Sequence, residues 1–144
     1  MRNHHQAAET LSAKEALVLA ALRATPRPCT AYQLINALRD EGIKAPPTVY
    51  RALNRLITLG HAHRLESLNA YVACRHGQCN APANAAFAIC DDCGLVEEIS
   101  ASNLTDGITN WAHGSRFAVD SLTFELHGKC QSCRDGPPGD RHKL

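Results

Sequence analysis

The 144-residue sequence predicts an α+β chain: an N-terminal winged helix–turn–helix unit followed by a small α/β unit closed by four cysteines. Three observations carry that expectation. The first 60 residues hold three apolar stripes at helical spacing, punctuated by proline and glycine. Two short strand-like runs then flank Ser67-Leu68-Asn69, a hairpin of the kind that forms a wing. Two C-x-x-C pairs, Cys90/Cys93 and Cys130/Cys133, bracket a strand–helix–strand pattern.

Each element has a local reason. Ser12 with Glu15 forms a capping box that opens the first helix, whose stripe is Leu17, Val18, Ala21 and Leu22. Pro26 and Pro28 end it. Thr30 with Gln33 repeats the box, Leu34, Ile35 and Leu38 form the buried face, and Gly42 is the left-handed stop. Pro46-Pro47 opens a third helix, where first-turn amides lack partners anyway. Val49, Leu53, Leu56 and Ile57 face inward there, and Gly60 closes it. Strands are expected at 61–66 and 70–74, then, after a polar loop at 75–84, at 86–89 and 95–99. A helix at about 103–113 follows. A last strand at 117–127 changes phase at Asp120-Ser121, which reads as a bulge. The expected division is a first domain at 1–66, a hinge at 67–69, a dimerisation and metal-binding domain at 70–134, and a flexible tail at 135–144.

Charge divides the chain similarly. Residues 1–66 carry nine Lys/Arg against five Asp/Glu, and residues 67–144 carry six against nine. A basic half joined to an acidic, cysteine-rich half points to two jobs, with nucleic acid a weak candidate for the first. No apolar run approaches the ~18 residues of a membrane span, so no membrane is expected and the location is read as cytoplasmic.

In a reducing compartment paired cysteines point to metal rather than to disulfides. Two thiolates from each pair can take one tetrahedral ion, a common closed site for structural zinc. The 36 residues between the pairs match the strand–helix–strand insert, whose ends the ion would pin together. A redox dithiol is the competing reading. It is disfavoured because neither pair is expected at the start of a helix in a βαβ setting.

A second set of candidate ligands crowds the junction of the halves: His61, His63, Cys74, His76, Cys79, Glu97 and Glu98. A zinc ion held by His63, Cys74, Cys79 and Glu98 would tie the two halves together, and two thiolates make such a site soft enough for zinc. The alternative is a hairpin with an ordinary exposed histidine and a buried cysteine.

The stretch Pro46-Pro47-Thr48-Val49-Tyr50-Arg51-Ala52-Leu53 resembles the recognition-helix signature of the ferric uptake regulator family. His63 to Cys74, together with Phe87-Ala88-Ile89-Cys90-Asp91-Asp92-Cys93-Gly94, is similar to its zinc uptake regulator branch. The likeness covers about residues 11–133. It implies a zinc-loaded homodimer that represses genes of zinc import by binding double-stranded operator DNA, with two zinc ions per chain. It further implies that Tyr32 and Arg51 contact bases, that the four-cysteine site is structural, and that His63, Cys74 and Glu98 help hold the sensing ion. Cys79 is the natural fourth ligand where relatives carry histidine, with His76 the other candidate. His127 matches a third-ion position in some members, with His113 as its expected partner. Asn36 stands where some relatives have an acid that pairs with an arginine, here Arg39, between neighbouring dimers.

On that reading the third helix lies in the major groove, where the Arg51 fork matches guanine O6 and N7. Tyr50, Asn54 and Arg55 accompany it, and Lys14, Arg23 and Lys44 are candidates for phosphate contacts. Two alternatives remain, a regulator of the same family sensing iron or manganese and a zinc store or chaperone. A zinc deaminase is disfavoured because no H-x-E occurs and neither C-x-x-C follows proline. No enzyme activity or small-molecule substrate is expected.

Overall fold

The computed structural model describes residues 10–75, 84–99, 102–120 and 122–136. Both capping boxes form. Ser12 Oγ accepts from the Glu15 amide at 3.2 Å while the Glu15 carboxylate accepts from the Ser12 amide at 3.1 Å, opening α1 (Ala13–Arg23). Thr30 and Gln33 do the same for α2 (Ala31–Leu38), at 3.2 and 2.9 Å. After a 3-10 turn, Gly42 adopts a φ of 86° and α3 (Pro46–Thr58) begins on Pro46. The three helices close around Val18, Leu22, Leu34, Leu38, Val49, Leu53 and Leu56. In α1, Leu19 is buried while Leu17 and Ala21 are only half-covered. Because α1 packs against α2, α3 and β2, its inner face is rotated from the expected stripe.

The wing is an antiparallel pair, β1 (Ala62–Leu65) and β2 (Ala70–Ala73), in register from Ala62↔Ala73 to Leu65↔Ala70. Asn69 closes its turn in the left-handed region at φ 47°, and its side-chain oxygen accepts from Arg64 at 3.0 Å. Cys29 exchanges two backbone bonds with Tyr71, at 2.9 and 2.8 Å, which ties β2 to the helical unit. Residues 67–69, expected as the hinge, form the hairpin tip, and Tyr71 beyond them lies in the helical core.

The second unit is a three-stranded sheet of order β4–β3–β5. β3 (Asn84–Cys90) pairs antiparallel with β4 (Val96–Ile99) and parallel with β5 (Leu122–Gly128). Helix α4 (Ser102–Ser115) makes the crossover, and α5 (Gln131–Asp135) follows β5. The strand expected from 117 begins only at Leu122, so no bulge is needed. Arg116 takes a φ of 54°, and the Phe117 amide bonds back to the Ala112 carbonyl at 2.9 Å. That is a Schellman stop, so Phe117 finishes α4 instead of starting a strand. Its ring lies 5.8 Å from that of Trp111.

Strand alternation gives the sheet two faces. Ala85, Phe87, Ile89 and Val96 point to the wing and form a second core with Leu65 and Val72. The wing therefore belongs to both units, its Tyr71 in one core and its Leu65 in the other. Because Leu53 is fully buried in the helical core, Leu53→Ala should destabilise the chain by about 2–5 kcal/mol. Denaturant unfolding with an unchanged m-value is the expected signature of that loss.

Candidate functional site

The turn after β3 and the end of β5 bring the four cysteines together. The sulfurs of Cys90, Cys93, Cys130 and Cys133 all lie within 4.8 Å of one another. Cys93 Sγ and Cys130 Sγ are 3.8 Å apart. Tetrahedral zinc with bonds of about 2.3 Å to sulfur requires a sulfur–sulfur edge of about 3.8 Å, so this donor set fits the ion. Gly94, at φ 75°, turns the chain back after the first pair. Cys130 caps the short helix α5, contrary to the expectation that neither pair starts a helix. All four sulfurs nevertheless face one another, which is the arrangement of a metal knuckle.

The cluster prepares its own thiolate. Burial opposes ionisation of Cys90, but the amides of Cys130, Cys93 and Asp92 point at its sulfur and bring its pKa down to about 6. The Cys130 amide donates to it at 3.3 Å. Cys133 is pushed up to about 12, chiefly by its hydrogen bond to Cys130 and then by burial beside Cys93 and Cys90. An ion entering the cluster must therefore displace protons.

The second cluster joins the two units. His63 on β1, Cys74 just after β2 and Glu98 on β4 place one ligand atom each within 4.8 Å of the others, the Cys74 sulfur being disulfide-bonded here and a metal ligand only when reduced. His63 Nε2 lies 3.5 Å from Glu98 Oε1, and Cys74 Sγ lies 4.0 Å from the same oxygen. Tetrahedral zinc calls for about 3.4 and 3.6 Å at these two edges, so the set fits within a few tenths of an ångström. His63 is only 4% exposed and Glu98 12%. The His63 ring stands edge-on to Phe87 at 5.2 Å, which fixes its orientation. Arg75 donates its amide to the second Glu98 oxygen at 3.4 Å. Cys79 and His76 lie outside the described residues. His61 and Glu97 are not part of the cluster. His61 Nδ1 is buried without a hydrogen-bond partner among the described residues, and Glu97 is exposed.

His127 has partners other than His113, its Nδ1 meeting Asp91 at 2.9 Å and its Nε2 meeting Ser67 Oγ at 2.9 Å. Among the described residues no third metal-ligand cluster forms. Arg39 lies 3.5 Å from Asn36 within one chain.

The outer face of α3 presents Tyr50, Arg51, Asn54 and Arg55, all exposed because Val49, Ala52, Leu53 and Leu56 take the inner face. Tyr32, in the first turn of α2, is 72% exposed. Lys14 lies beside Arg51 across a shallow groove that also includes Ser12 and Thr48. Sequence reasoning missed Arg27 and Glu125, which cross between the units, and Asp91, which pairs with His127 within the sheet unit. Arg27 Nε donates to the Cys93 carbonyl at 3.1 Å, and Glu125 accepts from the amides of Glu66 and Ser67. Glu125 had a signal, since it is the polar position between Phe124 and Leu126 and must face opposite to them.

No protein-family model matches the chain. The zinc uptake regulation protein of Escherichia coli (strain K12) is 40% identical over 105 residues, 72% of this chain. That of Shigella flexneri matches equally. The chain spans 61% of the length of these curated relatives. Among solved structures, a zinc uptake regulator complexed with zinc and DNA superposes with a TM-score of 0.80 at 35% identity, over 88% of this chain and 84% of that one. Holo XcZur gives 0.78 at 34%, over 88% and 87%. A ferric uptake regulator from Francisella tularensis, solved with iron, gives 0.55 at 17% and shows the fold alone.

Fold and clusters together define a winged-helix protein with two metal-ligand sets. At this identity and coverage the chain belongs to the ferric uptake regulator family, in its zinc uptake regulator branch.

Thiolates bind zinc only after losing their protons, so zinc retention by the four-cysteine cluster should fall as pH falls through and below about 6, where the last thiolate, Cys90, protonates. Cys90→Ser should lose that ion at neutral pH and melt the second unit. Metal content after gel filtration, read beside far-UV circular dichroism, checks both.

Proposed function

We propose that this chain is a zinc-responsive repressor that binds palindromic operator DNA as a homodimer and governs genes of zinc uptake. The observation that carries the reading is the His63–Cys74–Glu98 cluster, because its ligands come from the wing and from the sheet. An ion bound there is worth more when the two units are docked, so it biases their arrangement by the ratio of its affinities for the docked and undocked states. A hundredfold ratio supplies about 2.7 kcal/mol, enough to make DNA binding switchable. The likeness to a relative solved with zinc and DNA supports the same reading.

Each chain would carry two zinc ions. The four cysteines hold a permanent one, and His63, Cys74 and Glu98 hold the exchangeable one, with Cys79, or else His76, as fourth ligand. Cys74 is disulfide-bonded in this structure, and once reduced its thiolate favours zinc over iron or manganese. α3 enters the major groove with Arg51 on a guanine, Tyr50, Asn54 and Arg55 beside it, and Tyr32 on a base or sugar. Lys14 neutralises phosphate. The second unit dimerises through its apolar outer face. Trp111 and Phe117 are each 60% exposed there, and Leu104, Val119 and Leu126 are also exposed. A grouping of large apolar side chains on one small unit is the mark of an interface. The unit boundary falls after β2, since the hairpin follows α3 directly and its Ala62 and Tyr71 pack in the helical core. The role is regulatory, without catalysis, small-molecule substrate or membrane, and is carried out in the cytoplasm. Among the described residues no helix is long and apolar enough to cross a membrane.

Cys74→Ser should bind one zinc instead of two, remain a folded dimer and lose zinc-dependent promoter binding. Unfolding of that variant, or undiminished binding, would contradict the assignment. Arg51→Ala should weaken operator binding by about 1–3 kcal/mol and relax selectivity at one base pair, measured by anisotropy titration against operator and scrambled duplexes.

A further inference from the structure

The sheet carries two carboxylates toward the wing. Glu98 on β4 and Glu125 on β5 are both in register with Phe87 on β3, so all three share one face in one row. Adjacent strands lie about 4.8 Å apart, which puts the two acidic positions about 10 Å from each other. On the wing, His63 and Glu66 are three residues apart along β1 and its turn, again about 10 Å. The spans match. His63 meets Glu98 at one end of the row, and the turn that starts at Glu66 meets Glu125 at the other.

At that second end Glu125 Oε1 accepts from the Glu66 amide at 2.6 Å, and Oε2 accepts from the Ser67 amide at 3.1 Å. These amides open the 3-10 turn 66–68 and have no carbonyl of their own to reach. His127 lies beside them. Asp91 can only accept, so His127 Nδ1 carries a hydrogen, and Nε2 pairs with the Ser67 hydroxyl. Burial pushes the Glu125 carboxyl up, but Ser67, the Glu66 amide and nearby His127 outweigh it and hold the group below the usual carboxylate range. It is therefore an anion at neutral pH, the form that accepts best.

We infer that Glu125 is a positioning residue: with His127 it forms a second, metal-free anchor that fixes the orientation of the wing on the sheet. The cluster at Glu98 and the non-directional packing of Leu65 and Val72 would hold the wing yet leave its orientation about the cluster loosely fixed. A second point about 10 Å away removes that looseness. Arg27, which reaches Cys93 with a single N–H on a long side chain, constrains orientation far less. The inference rests on the proposed function only in taking the first cluster as a zinc site. Because metal and latch favour the same docked arrangement, each must strengthen the other by linkage.

The test uses the 144-residue protein with Glu125→Ala and Glu125→Gln, the second variant keeping one acceptor and the shape. Amide hydrogen exchange at Glu66 and Ser67 should accelerate at least tenfold in Glu125→Ala and by less in Glu125→Gln. Zinc affinity at the second site should weaken severalfold in the same order, while the four-cysteine ion stays bound. Unchanged exchange at these amides would overturn the latch, and faster exchange with unaltered zinc affinity would overturn its coupling to the metal. Both readouts are made without DNA. If wild-type promoter binding proved indifferent to zinc, the proposed function would fall while the exchange data still decided the latch.

Discussion

The interaction on which the rest depends is the meeting of His63, on the wing, with Glu98, on the sheet, across 3.5 Å. Neither side chain could be placed there by its own unit. His63 is held by the pairing of β1 with β2 and by the edge of Phe87, and Glu98 by the pairing of β4 with β3. A buried imidazole and a nearly buried carboxylate are costly unless each has a partner. A cation shared between them would offset that cost and reinforce the wing's place in both cores. Helix α3, which reads DNA in the proposed function, is continuous with the wing through Gly60, so whatever fixes the wing fixes the helix.

The two metal sets differ in ways that suit different work. The four cysteines come from the ends of β3 and β5, within one unit, and an ion there stabilises folding itself. The mixed set is drawn from elements that belong to different cores, so an ion there would act on arrangement more than on folding. In the proposed mechanism the first ion is a staple and the second a switch. The distinction follows from where the ligands sit in the topology, since both sets fit the same tetrahedron.

Much of this was legible in the sequence. Both capping boxes, the proline start of α3 and the glycine stops depend on neighbours within a few residues, and such local chemistry survives into the fold. The C-x-x-C pairs were legible for the same reason. What escaped depends on distant partners. The outward position of Phe117 follows from a left-handed Arg116, which no propensity marks. The course of residues 67–69 turns on β2 packing with the helices, a contact visible only once Tyr71 is placed. Glu125 and Asp91 drew no reading from the sequence because their partners, at the wing tip and at His127, lie about 60 and 36 residues away. His63, Cys74 and Glu98 stand among seven conspicuous candidate ligands from which the family resemblance selects them, whereas backbone amides that need a carboxylate leave no mark in the sequence.

The central claim, that an exchangeable ion joining wing to sheet sets the spacing of two reading heads, is tested most directly by titrating zinc into protein that retains only its four-cysteine ion. Anisotropy of labelled promoter duplex should stay low until the second equivalent per chain is added, rise with it and then level off. Full promoter affinity at one zinc per chain, with the His63–Cys74–Glu98 site empty, would contradict the account.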